Sequence, residues 1–256
     1  MVEKEIDGFG LIAGRWPLDK EKSTIVFIHG SGGTGHFWTA QVEGLAGRVN
    51  TVALDLPGHG RSGKEGKDDV ADYAGAVVQF IEAVEVSKAI PCGLSLGGAI
   101  TQQLLLDYPA RFSAGILVGT GARLKVLPAI FEAIVNDYPG FIDMVGKFAS
   151  SQKTDPAVLA PFRNEIGSCE PGIVYGDFQA CNRFDVMQRL AEISVPVLII
   201  SAEDDKLTPP KYGDFLESGI SNATRTHIMD AGHIAPMEKP EAVNRAIIEF
   251  LDRHGL

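Results

Sequence analysis

Residues 88–108 read "KAIPCGLSLGGAITQQLLLDY". An apolar run leads into Gly93-Leu94-Ser95-Leu96-Gly97, and a run of good helix formers follows Gly98. The pattern G-x-S-x-G has a mechanical reason in this context of strand, turn and helix. A serine lifted onto a sharp elbow sits in strained backbone geometry, and its neighbours two residues away must be nearly free of side chain. The N–H of Leu96 then lies at a helix N-terminus, where it can meet a developing oxyanion. A plain turn serine is the competing reading. The two flanking glycines favour a nucleophile at Ser95.

A serine nucleophile needs a base, and the base needs an orienting acid. The order serine, acid, histidine predicts both partners downstream, past the ends of later strands. "PVLIISAEDDKLTPP" at 196–210 supplies acids just after an apolar run. "HIMDAGH" at 227–233 supplies His233 just after the next. Asp230 precedes His233 by three residues and competes as the acid, but adjacency in sequence rarely gives the required face-to-face geometry.

Strand-like runs occur at 24–29, 51–55, 88–94, 114–119, 196–201 and 225–230, with helix-like stretches at 70–86, 96–107, 210–218 and 239–252. Several of the runs are apolar throughout, as strands covered on both faces should be. Alternation of this kind predicts an α/β fold with a mostly parallel sheet. The rhythm breaks between 122 and 190. Short amphipathic pieces there are punctuated by Pro128, Pro139, Pro156, Pro161 and Pro171. We expect a helical insertion at 122–190, set into a core formed by 1–121 and 191–256.

Two other glycine-rich turns point to nucleotides. Gly30-Ser31-Gly32-Gly33-Thr34-Gly35 fits G-x-G-x-x-G after a strand, and Asp55 lies where a ribose-binding acid should be. Gly58 to Glu65, "GHGRSGKE", fits a phosphate loop until Glu65, which stands where a hydroxyl should hold Mg²⁺. A carboxylate there would repel phosphates.

Taken together, these motifs resemble an α/β-hydrolase along nearly the whole chain. "HGSGG" at 29–33 is similar to that family's oxyanion loop, "DLPGHGRS" at 55–62 to its conventional turn, and "GLSLGG" at 93–98 to its nucleophile elbow. "AEDDKLTP" at 202–209 and "DAGH" at 230–233 resemble its acid and histidine loops. The resemblance implies a mostly parallel central sheet flanked by helices, with residues 122–190 as a helical cap. It makes Ser95, Asp205 and His233 the catalytic triad. Asp205 rather than Asp204 follows from the family's spacing between Ala202 and Pro209, although Ala202 stands where a glycine is usual. It gives the oxyanion hole to the N–H groups of Ser31 and Leu96, and it returns Asp55 to a turn rather than a ribose.

The implied activity is hydrolysis of carboxylic esters of small to medium acyl chain through an acyl-enzyme. Lactonase, thioesterase, perhydrolase and carbon–carbon hydrolase activities use the same machinery, and a ligand-binding receptor on the same fold is a reading from another class. A serine at 95 argues against branches with an aspartate nucleophile.

The remaining composition narrows the partners. Net charge is −10 and the pI is near 5.1, without a cluster of Lys and Arg for phosphate. We therefore expect a small-molecule ester substrate, no nucleic acid, no membrane, and a monomer or small homo-oligomer. The three cysteines, Cys92, Cys169 and Cys181, lack C-x-x-C spacing and suit a reducing compartment. With no apolar leader at the N-terminus, the expected location is the cytoplasm. No histidine cluster has metal-ligand spacing, so neither metal nor cofactor is expected. His29 should pack under the oxyanion loop, and Cys92 should be a buried thiol. His59, His227 and His254 read as structural, and His36 as a candidate for the pocket. The Phe and Met residues of 122–190 read first as packing for the insertion, with a minority, Phe131, Phe141 or Met144, as candidates to wall an acyl pocket.

Overall fold

The computed structural model describes residues 1–256. Its centre is an eight-stranded sheet in the order β1-β2-β4-β3-β5-β6-β7-β8. The strands are β1 (Val2–Ile6), β2 (Phe9–Ala13), β3 (Thr24–Ile28), β4 (Asn50–Leu54), β5 (Ala89–Leu94), β6 (Gly115–Val118), β7 (Val197–Ala202) and β8 (Ala223–Ile228). From β4 to β8 every pairing is parallel, and β2 joins β1 and β4 antiparallel. Each strand from β2 to β7 is buried along its whole length. This is why these runs carry apolar residues on both faces instead of alternating.

Helices flank the sheet on both faces, and four more lie in residues 122–190. In chain order they are α1 (Thr39–Leu45), α2 (Val70–Ala83), α3 (Leu96–Asp107), α4 (Pro128–Asn136), α5 (Tyr138–Ala149), α6 (Pro156–Ser168), α7 (Pro171–Arg183), α8 (Lys211–Gly219), α9 (Ala235–Glu238) and α10 (Pro240–His254). One apolar core forms around Tyr73, Phe80, Ile100 and Leu104 of α2 and α3. The other forms around Trp38, Ile247 and Phe250, on the side of α1 and α10. No helix is long and apolar enough to cross a membrane.

Three local features differ from the hydropathy pattern. The β1–β2 hairpin lies outside the strand-like runs read from the sequence, although β2 is apolar throughout. Its signal is Asp7-Gly8, where φ is 50° and 76°, the backbone of a tight hairpin turn. The last strand ends at Ile228 rather than 230, because Asp230 takes φ of 53° and breaks the ladder. Helix α2 stops at Ala83, where the chain turns at Glu85 with φ of 55°.

Residues 122–190 hold α4 to α7 and no sheet strand. The segment enters and leaves through one stem. Val186 N–H donates to Ala122 O at 2.8 Å, and an antiparallel bridge joins Arg123 to Asp185. The parallel register sets Ile28, Leu54 and Gly93 side by side, and Leu94 beside Val118. The loops that follow β3, β5, β7 and β8 therefore gather at one edge of the sheet, the carboxyl edge where open α/β sheets bind ligands.

Candidate active site

Ser95 bridges the last residue of β5 and the first of α3, with φ of 54° and ψ of −113°. A non-glycine residue there costs on the order of 1–3 kcal/mol, and its surroundings hold it. Ser95 N–H donates to Val118 O at 3.1 Å, and Thr120 Oγ1 donates to Ser95 O at 2.9 Å. The glycines around it are steric requirements. A Cβ on Gly93 would lie 1.9 Å from Gly97 O, and one on Gly97 would lie 2.2 Å from Ile28 O.

Asp205 lies in the loop after β7 and is 4% exposed. Its Oδ1 accepts from the N–H groups of Leu207 and Thr208, and its Oδ2 accepts from Thr208 Oγ1 at 2.8 Å. His233 Nδ1 lies 2.9 Å from the same Oδ2. Burial works to raise the Asp205 pKa, but the charge and hydrogen bond of His233 and the Thr208 donors outweigh it and lower it. The carboxylate fixes the proton of His233 on Nδ1 and leaves Nε2 as the free ring nitrogen.

The other acids turn elsewhere. Asp204 accepts from Ser151 Oγ, and Asp230 pairs with Lys153 at the surface. The structure thus brings His233 to Asp205 and not to Asp204 or Asp230. Ser95 and His233 line one cavity but are not hydrogen-bonded to each other. Such contacts are commonly loose before a substrate binds.

Gly30, Ser31 and Leu94 line the same cavity. The peptide joining Gly30 to Ser31 has a defined orientation. Gly30 O accepts from His29 Nδ1 at 2.7 Å and from Gly33 N–H at 3.1 Å. In a trans peptide the N–H points opposite to the C=O. Ser31 N–H is therefore turned away from His29 and Gly33. Leu96 heads α3, where an N–H has no partner within the helix.

The cavity measures about 300 Å³ and is mainly apolar. Val126, Ile130, Val145, Phe162, Ile166 and Phe178 form much of its wall, all from residues 122–190. Phe131, Phe141 and Met144 do not line it. Phe141 packs behind the wall on Tyr138 and Phe178, Phe131 meets Tyr175, and Met144 packs against the apolar core. His36 is also outside, at the surface beside Glu3. Helical spacing identifies the apolar positions but not which of them turn inward.

Cys181 lines the cavity too, but burial first and then Asp177 push its thiol up to about 12, so it stays protonated. Cys92 is buried, and burial alone raises its pKa well above the ordinary value. His29 packs under the loop at 30–33, with Leu56 N–H donating to its Nε2 at 3.0 Å. His227 and His254 are exposed. Asp55 accepts from the N–H groups of Gly35 and Arg61, so it clamps two turns together.

A family model described as the alpha/beta hydrolase family matches residues 25–246. Among curated relatives, the chain is 30% identical to the putative carbamate hydrolase RutD of Variovorax paradoxus (strain S110), over 93% of this chain and 94% of that protein. It is 24% identical to 3-oxoadipate enol-lactonase 2 of Acinetobacter baylyi, over 91% and 90%. Among solved structures, a thermophilic esterase superposes with a TM-score of 0.85 at 32% identity, covering 99% of this chain and 98% of that one. The relatives' names support hydrolysis as the reaction class. With its eight-stranded sheet and a match spanning most of its length, the chain belongs to the alpha/beta hydrolase family.

Proposed function

We propose that this protein is a serine hydrolase that cleaves carboxylic esters of small to medium acyl chain. One observation carries the reading: Ser95 opens into the same small apolar cavity as His233, whose Nδ1 is bound by the buried Asp205. His233 Nε2 takes the Ser95 proton as Oγ attacks the ester carbonyl. The carbonyl oxygen becomes an oxyanion, which the N–H groups of Ser31 and Leu96 stabilise. Collapse breaks the acyl C–O bond, and His233 returns the proton to the leaving alcohol. Water, deprotonated by His233, then adds to the acyl-enzyme and releases the acid and Ser95. Asp205 steadies the imidazolium in both halves.

A volume of about 300 Å³ is at the small end of ligand sites and suits short chains. The helical segment 122–190 acts as a cap that supplies the apolar wall and keeps water away. Cyclic esters are the second reading, favoured by the enol-lactonase among the relatives. The steps are the same, except that the leaving alcohol stays on the acyl chain. The test is hydrolysis of a short p-nitrophenyl ester and of a lactone by the wild type and by Ser95→Ala. Turnover that disappears in the variant supports the reading, and equal rates refute it.

A further inference from the structure

The insertion reaches the core through one fully buried carboxylate, Asp177 on α7. Its Oδ2 accepts from Gly32 N–H at 2.8 Å and from His59 Nε2 at 2.9 Å, and its Oδ1 accepts from the Tyr73 hydroxyl at 2.6 Å. Gly32 directly follows Ser31, His59 lies in the turn after β4, and Tyr73 is on α2. One side chain thus ties three segments of the core to the insertion.

The charges around it are defined by geometry. Both ring nitrogens of His59 face acceptors, Pro57 O at 3.0 Å and Asp177 Oδ2, so both carry protons. Burial lowers the His59 pKa, but the charge and hydrogen bond of Asp177 win and raise it well above the ordinary value. His29, with its ring centroid 4.8 Å away, is neutral. Burial and then the His59 charge bring its pKa down to about 4. That neutral ring donates to Gly30 O, as described above. A buried carboxylate is tolerated only when paired and hydrogen-bonded, and Asp177 has both a cation and two further donors.

Ser31 therefore lies between two peptides that are each held. The one before it is held at Gly30 O, and the one after it at Gly32 N–H. Gly32 has φ of 69°, a conformation that side chains disfavour and that glycine adopts without holding it by itself. The insertion grips the loop a second time at Thr34, whose N–H donates to Glu165 Oε2 at 3.1 Å. Resting on the function proposed above, we infer that Asp177 is a positioning residue: through Gly32 it fixes the loop so that Ser31 N–H meets the transition state. Chemistry at Ser95 is thereby coupled to the docking of α7 on the core.

The test compares kcat and KM for p-nitrophenyl acetate in the wild type, Asp177→Asn, Asp177→Ala and Ser95→Ala, with thermal unfolding as the check on folding. Phenylboronic acid, which forms a tetrahedral adduct on a serine nucleophile, is titrated against each. In folded Asp177→Ala, kcat should fall by roughly 10–100-fold with KM within about two-fold, because a misaimed donor weakens only charge that develops in the transition state. Boronate affinity should fall in parallel, and Asp177→Asn, which keeps one acceptor oxygen, should recover part of both. If Asp177→Ala does not fold, Asp177→Asn carries the test, with a kcat loss of roughly 3–10-fold at unchanged KM. An unchanged kcat in the folded variant, or a loss confined to KM, overturns the role of Asp177. Activity surviving in Ser95→Ala overturns the function on which that role rests, whatever the Asp177 variants do.

Discussion

Asp205 Oδ2 lies 2.9 Å from His233 Nδ1, while the adjacent Asp204 turns to Ser151. The two neighbours differ in what they orient, so their substitutions should differ in kind. Asp205→Asn keeps the shape but presents the wrong donor pattern to the imidazole, and kcat for a short ester should fall by roughly 10³–10⁴. Asp204→Asn should stay within about three-fold, the ordinary range of a change away from the chemistry. Steady-state kinetics of both variants on one substrate decide the matter, and the reverse ranking would move the acid to Asp204.

Glu165 supplies a pH dependence of known sign. Burial, opposed only partly by the Thr34 hydrogen bonds, raises its pKa from 4.5 to about 7. A carboxyl whose folded pKa is raised favours the folded state while it is protonated in both states, below 4.5. That contribution is lost as pH rises through 7. Glu165→Gln, which resembles the protonated form, should therefore have a higher Tm than the wild type above pH 7. The difference should vanish below about pH 4.5. A Tm gap independent of pH would show that this carboxyl is not the group titrating.

Two glycines should respond in opposite directions. A Cβ on Gly97 meets Ile28 O at 2.2 Å and His29 O at 2.7 Å, both backbone atoms that cannot step aside. Gly97→Ala should destabilise by about 1–3 kcal/mol or more. Gly75 lies inside α2 with nothing within 4 Å of an added Cβ. Gly75→Ala should stabilise by roughly 0.5–1 kcal/mol. Urea unfolding of the pair reads both signs.

The cavity wall should set chain length. Ile130 lines it while remaining partly exposed, so its truncation leaves the core intact. Ile130→Ala should improve kcat/KM for longer acyl esters relative to acetate, by up to roughly four-fold for each methylene newly buried. A series of p-nitrophenyl esters measures this directly. A uniform change across the series would mean that the acyl chain does not reach α4.

Much of the fold and of the candidate site was legible because the residues concerned sit in short local contexts. The elbow at Ser95 needs Gly93 and Gly97 within two residues, and Asp205 and His233 lie in the loops that follow β7 and β8. The pocket wall was not legible in the same way. Phe131, Phe141 and Met144 lie on the same helices as Ile130 and Val145, and only the packing of α4, α5 and α7 on one another decides which side turns inward. Asp177 reads in sequence as one polar position in an amphipathic helix. Its partner Gly32 lies 145 residues away, and no local pattern joins them. The hairpin of β1 and β2 had local signals in Asp7-Gly8 and in the apolar run of β2, but its strands are only five residues each and lie ahead of the repeating strand–helix units.

The central claim is that Ser95 is the nucleophile, and covalent labelling tests it most directly. A fluorophosphonate should react with loss of fluoride to leave one phosphonyl group per chain, on the peptide containing Ser95. Esterase activity should fall in proportion, and Ser95→Ala should take up no label. A label on another residue with activity lost in step, or full labelling of Ser95 with activity undiminished, would contradict the account.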